Sequence, residues 1–197
     1  MSQFLRQESP PHFEDHREYR PYLRRDFRYV CAYCERTEAA LGGEEFFEID
    51  HFRPRVRFPD LVTHYPNLYY ACGRCNRHKG GKWPPPDLLA KGFRFADPCA
   101  EDMYVSHLRE TADGYLRALT ACGEYTRDQI GLNRPVVVNW RLERRSAATE
   151  ARIMENTVAH LEILLATVSD LAARDEVQQQ LATIRLQIAR LRKRFSL

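Results

Sequence analysis

Two Cys-x-x-Cys pairs constrain this chain more than any other feature. Cys31 and Cys34 frame "CAYC", and Cys72 and Cys75 frame "CGRC". With two residues between them, both sulfurs of a pair reach one tetrahedral ion, at metal–sulfur distances of about 2.3 Å. Two pairs fill all four positions, so the expected Zn2+ is structural and leaves no place for a substrate. Its binding is expected to contribute on the order of 10 kcal/mol to folding. That matters here because the region around the pairs is rich in loops and poor in core. Knuckles of this kind, in a chain expected to stay in a reducing compartment, read as metal ligands rather than disulfides. Cys99 and Cys122 stand apart and are expected as small buried apolar groups.

Composition removes several alternatives. Hydrophobic residues are 44% and charged residues 29% of the 197, which is a globular rather than a disordered balance. No run approaches the roughly 20 apolar residues that cross a bilayer, so no membrane partner is expected. The start, "MSQFLRQESPPHFEDHREYR", lacks the apolar stretch of a signal peptide, which predicts a cytoplasmic location. A net charge of +3 does not by itself argue for nucleic acid. Its distribution says more: Arg17, Arg20, Arg24, Arg25 and Arg28 cluster, Arg53, Arg55 and Arg57 alternate, and Arg190, Arg192, Lys193 and Arg194 lie near Leu197. Each cluster is either a phosphate contact or solvated surface.

Three regions follow. Residues 1–30 form an N-terminal basic helical segment after a loose proline-containing tail, helical on either side of Pro21, with Tyr19, Tyr22, Leu23 and Phe27 inward. Residues 31–141 hold the chemistry. There, "EEFFEIDHF" reads as a strand after the Gly42-Gly43 turn. "YPNLYYACGRCNRHKGG" begins as loop and turns helical near the second cysteine pair. "WPPPDLL" is expected to be irregular, because prolines fix φ and remove donors. "GYLRALT" reads as a short hairpin strand. Residues 142–197 read as an antiparallel helical hairpin. Ile153, Leu161, Leu164, Leu165, Val168 and Leu171 mark its first helix, and Val177, Leu181, Ile184, Ile188 and Leu191 mark a second that starts at Asp175. Such stripes are either core or a docking surface for a partner protein or a second copy in a homodimer.

Asp50 and His51 close the predicted strand, and Asn76 follows the second cysteine pair. With zinc pinning Cys75, Asn76 opens a helix and can face the strand. Asp50 and Asn76 then supply two oxygen ligands, which suits a Mg2+ or Mn2+ that keeps several waters and takes a phosphate oxygen. His51 beside that ion, with an ordinary pKa of about 6.5, is placed to act as general base at neutral pH. The plainer readings are a turn cap for Asp50, a buried satisfied ring for His51 and a helix cap for Asn76.

The order Asp50-His51, Asn67-Leu68, Cys72, Cys75, Asn76, Lys79 resembles the HNH endonuclease family, over about residues 31–82. The resemblance implies an α+β fold, with a ββα-metal core stapled by a four-cysteine zinc and followed by the helical hairpin. It implies hydrolysis of DNA phosphodiesters, with His51 as general base and Asp50 and Asn76 holding the catalytic Mg2+ or Mn2+. Asn67 would hold the loop and the His51 backbone in place. Many members carry histidine where this chain has Asn76. Arg53, Arg55, Arg77, His78 and Lys79 are expected as nucleic-acid contacts, with ordinary surface as the alternative. A narrower likeness rests on "CAYCE", "EIDHFRPR", "FADP", "DGYLRALTACGEYTRDQIGLNR" and "NWR". It is similar to the PtuB-like nuclease subunits of Septu-type and retron-associated antiphage systems, over about residues 20–141. That likeness implies an ATPase partner, with the C-terminal helices as docking element. The other reading kept open is a zinc-stabilised nucleic-acid-binding or assembly subunit with latent or lost nuclease activity.

Overall fold

The computed structural model of the protein describes residues 4–6 and 10–197; residues 1–3 and 7–9, part of the expected tail, lie outside it. Its central element is a strand pair. β1 (Phe47–His51) runs antiparallel to β2 (Leu68–Cys72), with Phe47 opposite Cys72 and His51 opposite Leu68. The expected strand is therefore present, but the stretch expected as loop before the second cysteine pair is its partner strand. The reason is burial on both faces. All five residues of β2 are buried, so it lacks the apolar–polar alternation of a half-exposed strand, and Pro66-Asn67 in front of it gives a turn signal. α3 (Gly73–Lys79) begins at the residue after β2, which makes β1, β2 and α3 a ββα unit.

The N-terminal segment packs on this unit. A 3-10 turn (His16–Tyr19) leads into α1 (Arg20–Asp26), with Pro21 in the first turn, where its missing N–H has no helical partner to lose. Tyr19, Leu23 and Phe27 are buried, whereas Tyr22 is only half-buried. Residues 4–6 are not loose. Phe4 packs on Phe27 with ring centroids 5.0 Å apart. The Arg6 guanidinium lies over Phe27, Tyr65 and Tyr69 at 4.8–5.4 Å and donates to the Leu68 carbonyl at 2.6 Å. Part of the basic cluster is committed within the chain: Arg24 grips Glu38 at 2.7 and 2.8 Å, and Arg17 closes on Asp15 at 3.0 Å. α2 (Glu38–Leu41) lies between the first cysteine pair and β1, capped by the Thr37 hydroxyl.

Beyond α3, the proline run is not wholly irregular. Pro85 is the N-cap and Pro86 the first residue of α4 (Pro86–Ala90), the one helical position where a fixed φ and an absent N–H are favourable. α5 (Met103–Ser106) precedes a small antiparallel pair, β3 (Leu108–Glu110) with β4 (Leu116–Ala118). α6 (Ala121–Ile130) is capped by Thr120 and ends at Gly131 in the left-handed region, φ +68°. The Asn133 amide accepts from Leu116 N–H at 2.7 Å and donates to the Leu116 carbonyl at 3.0 Å, pairing with β4 as a strand would.

The chain divides into two compact units, Met1–Trp140 and Arg141–Leu197. The division falls in α7 (Pro135–Thr167), which α8 (Leu171–Phe195) follows. α8 starts earlier than expected because the Asp170 carboxylate accepts the Ala173 N–H at 2.9 Å and caps it. Within the second unit the helices are antiparallel, with Arg185 on Glu162 at 2.5 Å and Arg192 on Glu155 at 2.8 Å. The least exposed stripe of α8 is Val177, Leu181, Ile184, Ile188, Leu191 and Phe195, at the alternating spacing of a coiled-coil seam. The matching stripe of α7 is Ala151, Met154, Val158, Leu161 and Leu165, and Val168 continues it just past the helix end. Ile153 and Leu164 fall outside it, as does Leu171 at the start of α8; they are 59%, 46% and 74% exposed. Among the described residues no helix is long and apolar enough to cross a membrane.

Thr126 tests the packing of the first unit. Its buried hydroxyl accepts the Ala96 N–H at 2.8 Å. Thr126→Val keeps the shape and orphans that N–H, so urea unfolding should show a loss of about 1–3 kcal/mol.

Candidate active site and four-cysteine centre

The two cysteine pairs converge. The sulfurs of Cys31, Cys34, Cys72 and Cys75 all lie within 4.8 Å of one another, with Cys34 to Cys72 at 3.8 Å. A tetrahedron with zinc–sulfur bonds of about 2.3 Å has edges of about 3.8 Å, so the donor set is compatible with zinc. Burial pushes the Cys31 thiol well above its ordinary range, and a divalent cation is what makes a group of buried thiolates tenable. One protein cation is already at hand. Arg134 donates to the Cys75 sulfur at 3.0 Å and to the carbonyls of Ile130 and Gly131 at 2.9 Å each. This clasp ties the segment after α6 to the cysteine centre.

The first cysteine pair also reaches the end of β1. Tyr33, between Cys31 and Cys34, donates its hydroxyl to Asp50 Oδ2. Lys79, the last residue of α3, donates to Asp50 Oδ1 at 3.0 Å and to the His51 carbonyl at 2.7 Å. Lys79 is 0% and Asp50 4% exposed. Burial pulls the Lys79 ammonium down and Asp50 pulls it back up. Each Asp50 oxygen carries one such bond, and an ionised carboxylate has about four acceptor positions, so coordination sites remain.

His51 is held by its ring. Nε2 lies 2.9 Å from the Val62 carbonyl. A carbonyl only accepts, so Nε2 carries the proton and Nδ1 keeps its lone pair. Burial holds the His51 pKa below its ordinary value, opposed by the Val62 hydrogen bond. The loop that supplies Val62 is pinned by Asn67, whose Oδ1 accepts from Arg53 N–H at 2.8 Å and whose Nδ2 donates to the Arg53 and Leu61 carbonyls at 3.1 Å. The Asn67 carbonyl accepts from Phe52 N–H at 2.9 Å. These bonds brace both ends of the loop that carries the His51 partner.

Asn76, in the first turn of α3, donates Nδ2 to Glu48 Oε2 at 2.7 Å. That bond fixes which way the amide faces and leaves Oδ1 available as an oxygen donor. Asp50, His51 and Asn76 line one cleft of about 360 Å³, together with His16 and Arg55. Among the described residues, Arg53, Arg77 and His78 do not line it. Arg53 stacks over Phe58 and Trp83, Arg77 pairs with Glu48 at 3.1 Å, and His78 is exposed beside Gly131. Lys79 requires a correction. A fully buried ammonium cannot meet a phosphate from solution, and its role is to fix Asp50.

Tyr33, Glu48 and Val62 went unread in the sequence. Glu48 had a visible signal, since it stands two residues before Asp50 and shares its face of β1; it orients Asn76. A second group of ligand-type atoms, from Glu101, His107 and Cys122, also lies within 4.8 Å of one another. It is internally satisfied. Arg94 grips Glu101 at 2.5 and 2.9 Å and holds its pKa at about 2, and His107 bonds Glu101 and Thr120 at 2.8 and 2.7 Å.

Residues 31–82 match the HNH endonuclease family model. The Septu protein PtuB of Bacillus thuringiensis is 41% identical over 51 residues, which is 25% of this chain and 19% of that protein. The match thus spans about a fifth of the relative's length. No solved structure matches the chain.

Two outcomes check the site's framework. Lys79→Met leaves Asp50 buried without its cation and should cost about 3–5 kcal/mol in urea unfolding; an unchanged midpoint would contradict the pairing. Cys72→Ser should lose bound zinc by metal analysis and lower the thermal midpoint steeply, since on the order of 10 kcal/mol of folding energy is linked to such a metal.

Proposed function

We propose that this protein is a metal-dependent HNH endonuclease that hydrolyses DNA phosphodiesters. One observation carries the reading: the bond from His51 Nε2 to the Val62 carbonyl leaves Nδ1 as a base in the cleft that Asp50 and Asn76 also line. In this reading Nδ1 takes a proton from water, and the water oxygen forms a bond to phosphorus. The P–O3′ bond breaks, and the departing oxygen takes a proton from solvent, leaving 5′-phosphate and 3′-hydroxyl ends. A Mg2+ or Mn2+ held by Asp50 and Asn76 would neutralise charge on the phosphate and on the leaving oxygen. Asn67 keeps the loop, and through it the His51 ring, in register. Arg55 is the arginine placed to meet the phosphate backbone.

The likeness to a Septu protein supports a role as nuclease subunit of an antiphage system, working in the cytoplasm with an ATPase partner. The second unit, with Ile163, Leu164 and Leu186 exposed, is the proposed docking element. One observation favours a second reading, a site latent until a partner binds: both Asp50 oxygens already carry a bond, from Lys79 and Tyr33.

Nicking of a supercoiled plasmid with Mg2+ or Mn2+, and its loss in EDTA, tests the activity. His51→Ala should lower the rate by about 10²–10⁴-fold with zinc content and circular dichroism unchanged. The pH dependence follows in sign from the burial of His51. A base whose pKa is held down stays neutral to lower pH, so the rate should stay level to below about pH 6.5 and fall only under that. A fall beginning above neutrality would contradict the assignment.

A further inference from the structure

His16 lies outside residues 31–82, yet it lines the same cleft as Asp50, His51 and Asn76. Its ring meets that of His51 edge-on, with centroids 4.9 Å apart and planes at 61°. The side chain is 22% exposed, and Asp15 lies beside it with Nδ1 to Oδ1 at 3.6 Å, too long for a hydrogen bond. Asp15 is itself occupied, accepting from the backbone and side chain of Arg17 at 2.9 to 3.1 Å. Among the described residues neither nitrogen of the His16 ring makes a hydrogen bond. Both ring nitrogens are thus open to water, or to a ligand in the cleft that the ring lines.

Elements far apart in sequence hold it there. His16 opens the 3-10 turn that runs to Tyr19. Tyr19 is buried against Phe13 at 4.9 Å and Tyr65 at 5.2 Å between ring centroids. Tyr65 belongs to the loop between β1 and β2, the same loop that carries Val62. The aromatic packing thus fixes His16 and the partner of His51 relative to one another.

We propose that His16 is a further catalytic residue of this site, a substrate contact whose ring N–H donates to a non-bridging oxygen of the phosphate that His51 and its water attack. An imidazole carries at least one N–H donor in either protonation state. The N-terminal segment is then part of the active site, and the cleft is completed by a residue that the HNH match does not include. This inference rests on the nuclease reading above.

Plasmid nicking by the full-length chain with Mn2+ tests it, comparing wild type, His51→Ala, His16→Ala, His16→Phe and His16→Gln. Phe keeps an aromatic ring against His51 but no donor, and Gln keeps a donor but no ring. A hydrogen bond to a charged group corresponds to about 10–100-fold. The expected result is a fall of that size in kcat/KM for His16→Ala and His16→Phe, with partial recovery in His16→Gln and with zinc content and unfolding midpoint as in wild type. Wild-type activity in His16→Phe would reduce His16 to packing and overturn the inference while leaving the nuclease reading intact. Absence of metal-dependent nicking by wild type would overturn both.

Discussion

Asp50 and Lys79 form a buried ion pair on which the rest of the first unit depends. Removing two charges from water is expensive, and the cost is met only when geometry and extra hydrogen bonds satisfy both groups. Here Asp50 takes Lys79 and Tyr33, and Lys79 also takes the His51 carbonyl. Three elements therefore meet at one carboxylate: the end of β1, the end of α3 and the turn between Cys31 and Cys34. Displacing any of them strands a charge or a buried polar group. The pair works as a register lock, and it sets Asp50 where Asn76, one helical turn before Lys79, lines the same cleft.

The four-cysteine centre acts at the other end of the same elements. Cys72 ends β2 and Cys75 lies in α3, so a bound ion would fix the strand-to-helix corner, while Cys31 and Cys34 bring Tyr33 to Asp50. Arg134 extends this outward, since its guanidinium joins the Cys75 sulfur to the carbonyls that close α6. The later part of the unit, with its small hairpin and Asn133 bridge, is thereby anchored to the centre rather than merely packed beside it. A metal at the cysteines would hold the corner, and the ion pair aims the acid.

The cleft draws on more of the chain than the ββα unit. Glu48 sets the Asn76 amide, Val62 sets the His51 tautomer, and His16 enters from the N-terminal segment along a path of packed aromatic rings. Glu48 and Val62 each act through one contact at a defined atom and His16 through its ring against that of His51, which is how a small unit aims polar groups into a cleft with little regular structure behind them. The second unit follows a different rule. Its helices are ordered by apolar stripes at seam spacing, and its ion pairs sit at the margins, where exposed pairs contribute little stability.

What the sequence determined by itself was whatever short spacing encodes. The Cys-x-x-Cys pairs, the Asp-His strand end, Asn76 beside Cys75 and the α8 stripe were legible because their partners lie within a turn or follow a fixed period. Tertiary structure decided the rest. β2 became a strand because both its faces are covered, which erases the period that would reveal it. Lys79 became a structural counter-ion rather than a phosphate contact because α3 turns it toward a carboxylate twenty-nine residues earlier. On α7, Ile153 and Leu164 share the helical spacing of the buried stripe yet lie outside it, since hydropathy alone does not say which of two apolar faces is covered. Glu48 and His16 are ordinary polar residues in the sequence, and only folding, which sets one on Asn76 and the other against His51, makes them part of a site.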